Sequence, residues 1–115
     1  MTDDHNHFME LAIRAAKRVP ERPFGTVIAE PTSGELICEG WNRSDENPTW
    51  HGEIDAINRL TELPQRDFRS LVLYTTAEPC VMCQGAILWT GIGTVVFGTS
   101  AITLSDFGFR QFSLS

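Results

Sequence analysis

The sequence lacks long hydrophobic runs and contains few cysteines, and each shortage excludes a class of protein. No apolar stretch reaches the roughly 18 residues that a membrane-spanning helix needs. The polar, acidic N-terminus also lacks the basic and then apolar order of a secretory signal. Three cysteines are too few, and odd in number, for a disulfide framework, and they fit a reducing compartment. We therefore expect a soluble, cytoplasmic protein with no membrane partner.

Positive charge is also scarce in this chain. Eight arginines and a single lysine are spread along it without forming a run, and the net charge is −6. Nucleic-acid binding draws most of its affinity from neutralised phosphates, so this balance disfavours nucleic acid as a partner. A locally basic groove on the surface of an acidic domain remains compatible with this charge balance.

The length and the apolar content fit one compact domain. A chain of 115 residues that is 42% hydrophobic is long enough to bury one core and too short to bury two. We therefore expect a single domain over residues 1–115.

Hydrophobic periodicity predicts alternating helices and strands along this domain. The first helix is predicted by an apolar stripe from Phe8 to Val19, with Asp3 or Asp4 as N-cap and with Pro20 and Pro23 after it. The other predicted elements are strands at 24–29, 36–41, 70–74 and 94–97, a helix from His51 to before Pro64, and a helix from about Cys80 to Thr90. This order implies an α/β fold, a three-layer α/β/α sandwich with a mixed sheet.

The second predicted helix carries an apolar stripe and a charged pair. Its stripe consists of Ile54, Ile57, Leu60 and Leu63. Asp55 and Arg59, four residues apart, are expected to pair on the opposite side.

Two thiols and one imidazole form a candidate metal site. Cys80 and Cys83 lie three residues apart where an apolar strand ends and a helix begins, so they share one helix face. Pro79 suits the first helical position. His51, at another helix start, would give Zn²⁺ a third ligand and leave the fourth tetrahedral position open, as in catalytic zinc sites. The alternatives are zinc that only holds the fold, or two packed thiols without metal.

Glu53 is the candidate catalytic residue. It follows His51 by two positions, which keeps it near the metal without making it a ligand. A carboxylate there can take a proton from a zinc-bound water and pass it to a leaving group. The alternative is a helix-start carboxylate stabilised by the helix dipole.

Other histidines and cysteines favour simpler interpretations. His5 and His7 lie at a chain end, where side chains are usually solvated. Cys38, in the second strand, is interpreted as a small buried side chain.

Together, His51-Gly52-Glu53 and Pro79-Cys80-Val81-Met82-Cys83 match the H-x-E and P-C-x-x-C signature of zinc deaminases that act on nucleobases. The chain therefore resembles the cytidine/deoxycytidylate deaminase superfamily. That resemblance implies a cytidine-deaminase-like fold, Zn²⁺ as cofactor and hydrolytic release of ammonia from a base.

The resemblance extends beyond the metal motif. The segments concerned are Pro23-Phe24-Gly25, Glu39-Gly40-Trp41-Asn42, Asn47-Pro48-Thr49 and Val95-Val96-Phe97-Gly98. They are similar to the branch that contains tRNA adenosine deaminases, guanine deaminases and fungal-type cytosine deaminases.

By this resemblance, five residues are expected to bind substrate. Asn42 would hydrogen-bond it, although an ordinary turn asparagine is the alternative. Ala77 and Glu78 would line the pocket through backbone groups, with the Glu78 side chain only structural. Phe24 and Trp89 complete the set, and for Trp89 the alternative is packing within the third helix.

The substrate is less well determined than the chemistry. The segment Ala86-Ile87-Leu88-Trp89 resembles guanine deaminases, as does the tail 106–109, but Arg110-Gln111 departs from their acidic pattern. Gly52 resembles fungal cytosine deaminases instead. The leading hypothesis is a deaminase of a free nucleobase or nucleoside, guanine- or cytosine-type. The alternatives are a tRNA adenosine deaminase and a non-catalytic, zinc-stabilised interaction domain.

Several aromatic residues have two interpretations each. Trp50 either narrows the pocket or stacks on a base, or it belongs to the core or a dimer contact. Phe107, Phe109 and Phe112 either close over the pocket or pack onto the sheet.

A homodimer is also expected. Relatives in this branch usually carry one or two more helices after the fourth strand, and we expect none here because the chain stops at Ser115. A domain without that cover would expose apolar surface, and deaminases of this branch are similar in pairing through helices near the active site.

Overall fold

The computed structural model describes residues 2–100, with side chains from residue 5 onward. Its elements, in chain order, are α1 (Thr2–Ala16), β1 (Gly25–Glu30), β2 (Glu35–Trp41), α2 (Gly52–Thr61), β3 (Val72–Ala77), α3 (Val81–Thr90) and β4 (Thr94–Thr99). A short 3₁₀ turn, Phe68–Ser70, precedes β3. The predicted cluster of Phe107, Phe109 and Phe112 lies outside the described residues.

The four strands form one mixed sheet in the order β2-β1-β3-β4. Strand β1 is antiparallel to both β2 and β3, whereas β3 and β4 are parallel and are joined by α3. The parallel pair brings the ends of β3 and β4 to the same edge of the sheet. There the backbone N–H of Glu78 donates to the Thr99 carbonyl over 2.7 Å.

Alternating side chains of the strands build a core on each face of the sheet. The core beneath α1 consists of Phe8, Ala12, Val27, Ala29, Val72 and Tyr74. The core beneath α2 and α3 consists of Ile28, Ala56, Leu60, Leu71, Leu73, Ile87 and Ile92. The predicted three-layer α/β/α sandwich is thereby confirmed. No helix in the described part of the chain has the length and apolar character needed to cross a membrane.

The first helix differs from its prediction at both ends. It already includes Asp3 and Asp4, the expected N-caps, because it begins at Thr2. It ends at Ala16, and the chain then tightens into a turn in which the Val19 amide donates to the Ala16 carbonyl over 3.1 Å. Val19 therefore does not extend the helical stripe, although the residues before it do pack on the sheet.

The second helix buries the predicted stripe only in part. Leu60 is buried, but Leu63 lies beyond the helix and is exposed. Asp55, expected on the opposite side, is 3% exposed and lies 3.4 Å from Arg59. The predicted pair exists, yet it belongs to the buried side. The cause is that Asp55 also accepts a hydrogen bond from the backbone N–H of Trp41, over 3.2 Å, at the end of β2.

Gly40 lets α2 lie directly on β2. A Cβ at this position would lie 2.6 Å from the Gly52 carbonyl oxygen and still closer to the Ala56 amide nitrogen. Gly40→Ala must therefore push α2 away from the sheet, and we expect a loss of about 2 kcal/mol in the free energy of unfolding. Urea unfolding measures it.

Gly85→Ala is the matched control for this prediction. Gly85 lies inside α3 with nothing within 4 Å of its Cβ position, so alanine there is neutral or stabilises the helix. Equal stability of the Gly40 variant and the parent protein would show that α2 does not depend on this close approach.

Candidate metal and catalytic site

The candidate metal site lies where two helices begin. His51 is the N-cap of α2 and Cys80 is the N-cap of α3, while Cys83 lies in the first turn of α3 and is fully buried. The Nδ1 atom of His51 lies 3.5 Å from the Cys80 sulfur and 3.8 Å from the Cys83 sulfur. The structure thus brings together three side chains that the sequence separates by up to 32 residues.

Both helices begin one residue later than predicted, and this matters for the ligands. His51 and Cys80 have extended backbone conformations, with ψ values of 170° and 171°. Neither side chain caps its own helix, so both are available to a metal ion. Pro79 consequently lies before the N-cap, and its prediction at the first helical position is wrong.

The three candidate ligands shift one another's pKa values through their hydrogen bonds. Hydrogen bonding from Cys83, and then from His51, lowers the pKa of Cys80 to about 4. The hydrogen bond with Cys80 raises the pKa of His51. The hydrogen bond to Cys80 and then burial raise the pKa of Cys83. A metal ion would replace the protons that now hold these groups together, because thiolate and neutral imidazole are the ligating forms.

The donor set fits zinc. One imidazole nitrogen and two sulfurs, all within 4.8 Å of one another, are ligands that Zn²⁺ prefers. The grouping contains His51, Cys80 and Cys83 and no further His, Cys, Asp or Glu from the described residues. Three protein ligands leave one tetrahedral position open, which is the arrangement of catalytic zinc.

Glu53 lies beside this cluster in the first turn of α2. Its side chain is 6% exposed, and burial raises its pKa to about 7, against the opposing effect of hydrogen bonds that include the Thr75 hydroxyl. A carboxyl group with a pKa near neutrality can both accept and return a proton at physiological pH. The site therefore holds a buried carboxyl group next to three candidate metal ligands.

The burial of Glu53 predicts how the stability of the metal-free protein depends on pH. Its pKa is about 7 in the folded state, above the ordinary value of 4.5. Protonated Glu53 therefore makes its full contribution to the free energy of unfolding below pH 4.5, and that contribution is lost as the pH rises through about 7. Glu53→Gln cannot lose that proton. In chelator-treated samples, we expect the free energy of unfolding of the variant to rise by about 3 kcal/mol relative to that of the parent between pH 4.5 and about pH 8.

Urea unfolding at several pH values checks this expectation. Other titrating groups cancel in the comparison between variant and parent. A stability difference that stays constant over this pH range would mean that Glu53 ionises as readily in the folded chain as in the unfolded one.

The Oδ1 atom of Asn42 makes structural hydrogen bonds, while its Nδ2 donor has no acceptor within residues 5–100. Its Oδ1 accepts from the backbone N–H of Ser44 over 3.0 Å and from the Ser44 hydroxyl over 2.7 Å, which is the turn asparagine of the alternative interpretation. Its backbone N–H donates to the Phe24 carbonyl over 3.1 Å. Within residues 5–100 the Nδ2 group has no hydrogen-bond acceptor. Asn42 is 8% exposed, so this donor is largely shielded from solvent.

The remaining predicted substrate residues differ in position. Phe24 is half-buried, and its carbonyl oxygen lies 3.4 Å from the Cβ position of Gly52, between His51 and Glu53. Ala77 ends β3 and is buried, while the Glu78 N–H is already bonded to β4.

Trp89 lies on the outer side of α3. It is 92% exposed within the described part of the chain, so the alternative of packing within the third helix is not found there. Cys83 and Ile87 are the residues through which α3 is buried. A role of Trp89 in substrate binding stays a prediction.

Three other residues singled out in the sequence do not belong to the candidate ligand set. His5 contacts the Tyr74 hydroxyl over 2.6 Å on the α1 side of the sheet. Cys38 donates its S–H to the Ala56 carbonyl over 3.4 Å, and burial raises its pKa to about 11, which makes it an inert thiol. Trp50 is half-buried, with the Arg43 guanidinium 5.1 Å from its ring.

Sequence reasoning missed the network that holds the loop before His51. Arg43 donates to Asp55 over 3.2 Å and to Glu46 over 2.7 Å, and its backbone N–H donates to the Trp50 carbonyl over 2.7 Å. These contacts fix the loop between β2 and α2. The only sequence signal was the spacing of Asp55 and Arg59, which resembles an ordinary surface pair.

An α/β/α sandwich with one histidine and two cysteines at two helix starts defines the class of zinc-binding deaminases. The family model of the cytidine and deoxycytidylate deaminase zinc-binding region matches residues 2–99, and the chain belongs to this family. Family membership and the three converging donors together support Zn²⁺ as the cofactor.

Relatives in this family are named for different substrates. A probable cytosine deaminase of Schizosaccharomyces pombe is 38% identical over 80 residues, covering 70% of this chain and 49% of the relative. A tRNA-specific adenosine deaminase of Haemophilus influenzae is 38% identical over 105 residues, covering 89% of this chain and 60% of the relative. The crystal structure of guanine deaminase from Bacillus subtilis superposes with a TM-score of 0.83 at 32% identity, covering 93% of this chain and 71% of that one. The chain thus spans about half to two thirds of the curated relatives' length.

Proposed function

We propose that this protein is a zinc-dependent hydrolytic deaminase of a free nucleobase or nucleoside, guanine- or cytosine-type. His51, Cys80 and Cys83 hold the metal, and Glu53 is the catalytic residue. The observation that carries the proposal is the buried Glu53 carboxyl group beside three converging metal-ligating atoms. A zinc site that only held the fold would have no use for a buried carboxyl group beside the metal.

The reaction exchanges an exocyclic amine for oxygen. Bound Zn²⁺ supplies Lewis-acid chemistry that lowers the pKa of water, so that water can attack the carbon bearing the amine. The chain's own contribution is proton transfer by Glu53. It accepts one proton from the attacking water and delivers it to a ring nitrogen. It then takes the remaining proton from the hydroxyl group formed on that carbon and supplies it to the amine, which leaves as ammonia while the carbon keeps the oxygen as a carbonyl.

Asn42 and the backbone at the end of β3 orient the base. The Nδ2 group of Asn42 is a free donor for a carbonyl oxygen or ring nitrogen of the substrate, and its Oδ1 is held by Ser44, which fixes the orientation of the amide. The carbonyl groups of Ala77 and Glu78 lie at the same edge as Cys80. Base binding therefore depends on one side-chain amide and on backbone groups.

Ammonia release from a substrate panel tests the proposal. The zinc-loaded protein is given cytosine, guanine, adenine, their nucleosides and an anticodon stem-loop. We expect one base or nucleoside to be turned over, and chelation to abolish the reaction. Release from none of these substrates by fully zinc-loaded protein would favour a non-catalytic, zinc-stabilised domain.

A tRNA adenosine deaminase is the second candidate. The relative from Haemophilus influenzae supports it, since it is 38% identical over 89% of this chain. The net charge of −6 counts against it. In the same panel, release of ammonia from the anticodon stem-loop alone would select this second function.

We also propose that residues 1–115 act as one domain that pairs into a homodimer. The apolar side chains that support pairing are Leu88, Trp89 and Phe97, which are 80%, 92% and 45% exposed in the described part of the chain. Helix α3 is apolar on both its buried and its outer face, which is typical of a helix enclosed in an assembly. Light scattering at micromolar concentration distinguishes a dimer from a monomer.

A further inference from the structure

Two threonines lie side by side in the sheet beneath the first turn of α2. Thr26 of β1 is paired with Thr75 of β3, and the Thr26 hydroxyl donates to the Thr75 hydroxyl over 3.1 Å. The two residues are 0% and 2% exposed. A hydroxyl group buried to this extent needs an acceptor for its proton. Thr75 provides one for Thr26, so the acceptor of the Thr75 proton decides what the pair can do.

That acceptor is Glu53. Burial raises the pKa of Glu53 to about 7, and hydrogen bonding with the Thr75 side chain opposes the rise. A hydroxyl group has this effect when it donates to the carboxylate. The Thr75 hydroxyl oxygen also lies 3.5 Å from the Gly25 carbonyl oxygen. A carboxylate is the stronger acceptor of the two, so the single hydroxyl proton of Thr75 is donated to Glu53.

Two glycines bring the start of α2 down onto this pair of threonines. Gly40 is the partner of Thr26 in β2, and its missing side chain lets α2 lie directly on the sheet. A Cβ on Gly52 would lie 3.0 Å from the Thr26 hydroxyl oxygen, which is closer than an ordinary contact. The H-x-E motif leaves this middle position open. The Thr26 hydroxyl therefore accounts for glycine between His51 and Glu53.

We propose that Thr26 and Thr75 are positioning residues for Glu53, whose carboxylate their hydroxyl groups hold in the orientation that proton transfer requires. The inference rests on the proposed deaminase function and adds two residues outside the proposed metal and substrate sets. A proton carrier works only within hydrogen-bonding distance of both the proton donor and the proton acceptor. A glutamate side chain has three torsions, so it keeps such a position only when neighbouring groups hold it.

Replacing Thr75 by valine tests the proposal, because valine has nearly the same shape without the hydroxyl group and suits a buried strand. With zinc-loaded protein, we expect Thr75→Val to lower kcat per bound zinc about tenfold and to leave KM unchanged. Thr75→Ser keeps the hydroxyl group and should restore most of kcat. Thr76→Val is the matched control. The Thr76 hydroxyl accepts from the Gly25 backbone N–H over 3.1 Å, so its loss removes a hydrogen bond without touching Glu53, and we expect parental kcat.

The order of the two hydroxyl groups is tested by a double variant. Thr26→Val should lower kcat by less, about threefold, because Thr75 keeps its own hydrogen bond to Glu53. Added to Thr75→Val, it should lower kcat no further, because Thr26 acts only through Thr75. The inference is overturned if Thr75→Val keeps parental kcat, if Thr76→Val loses as much as Thr75→Val, or if the losses of the two single variants multiply in the double variant.

Proton NMR of the zinc-loaded protein separates this inference from the proposed function, because it requires no turnover. A buried hydroxyl proton bound to a carboxylate exchanges slowly and gives its own downfield signal, which is identified by its disappearance in Thr75→Val. We expect this signal to move upfield in Glu53→Gln, since a neutral amide is the weaker acceptor, and to stay in place in Glu62→Gln at the exposed end of α2.

The two proposals can then fail independently. If the Thr75 hydroxyl signal depends on Glu53 but no substrate releases ammonia, the deaminase proposal alone is wrong. If the signal is absent from the parent protein, or is the same in Glu53→Gln, the positioning role is wrong whatever the activity.

Discussion

Glu53→Gln should bind zinc normally and lose deaminase activity by about 10²- to 10⁴-fold in kcat, the contribution expected of a positioned proton carrier. Glutamine fills the same buried volume and keeps hydrogen-bonding capacity, so the fold and the three ligands are left in place. It cannot accept a proton from water or return one to the amine. The measurement is ammonia release under saturating substrate, together with zinc content by elemental analysis.

Glu62→Gln is the control for this result. Glu62 follows α2 directly and is exposed, so the substitution changes the same functional group at the far end of the same helix. We expect parental kcat and parental zinc content. Retention of kcat in the Glu53 variant would remove the proposed role of this residue, whereas loss of zinc from it would reveal a ligand instead of a proton carrier.

The layer order and the metal donors were predictable because they depend on local signals. Apolar runs such as 70–74 predict buried strands, and helical spacing predicts α1 and α2. The spacing of Cys80 and Cys83 at a strand end is likewise a local pattern. Helix boundaries were less accurate, since one residue separates an N-cap from a first turn and the ends are decided by hydrogen bonds that the pattern does not contain.

The contacts between distant segments were not predictable from periodicity. Asp55 has the spacing of a surface residue, yet it is buried because the end of β2 presents a backbone N–H to it. Arg43 has no motif around it, yet it donates to Asp55, 12 residues away. In both cases the partner is set by the loop between β2 and α2, whose path follows from its tertiary contacts.

The aromatic residue of α3 shows a further limit of sequence reasoning. An apolar helix predicts burial, but not whether the cover comes from the same chain or from another. Trp89 is 92% exposed among the described residues because α3 uses Cys83 and Ile87 to contact the core. Its spacing six residues after Cys83 puts it on the outer face.

Cys83→Ser should lose zinc and, with it, activity. The Cys83 sulfur is fully buried between the starts of α2 and α3, and a serine hydroxyl is a harder and shorter donor that does not ionise readily there. One of three protein ligands is thereby removed from an ion that already has an open position. We expect less than about 0.1 zinc per chain after dialysis against a mild chelator, and kcat below about 10⁻³ of the parent value.

Cys38→Ser provides the comparison that makes this prediction specific. Cys38 is a half-buried thiol of β2 that donates to the Ala56 carbonyl, a contact that a serine hydroxyl can also make. That variant should keep one zinc per chain and raise its thermal unfolding temperature on adding zinc, as the parent does, whereas Cys83→Ser should not respond. Since both substitutions replace a sulfur by an oxygen, a loss confined to Cys83 would assign the effect to metal binding. If Cys83→Ser kept full zinc and activity, the metal would have to be bound by other residues, and the proposed ligand set and catalytic centre would both be wrong.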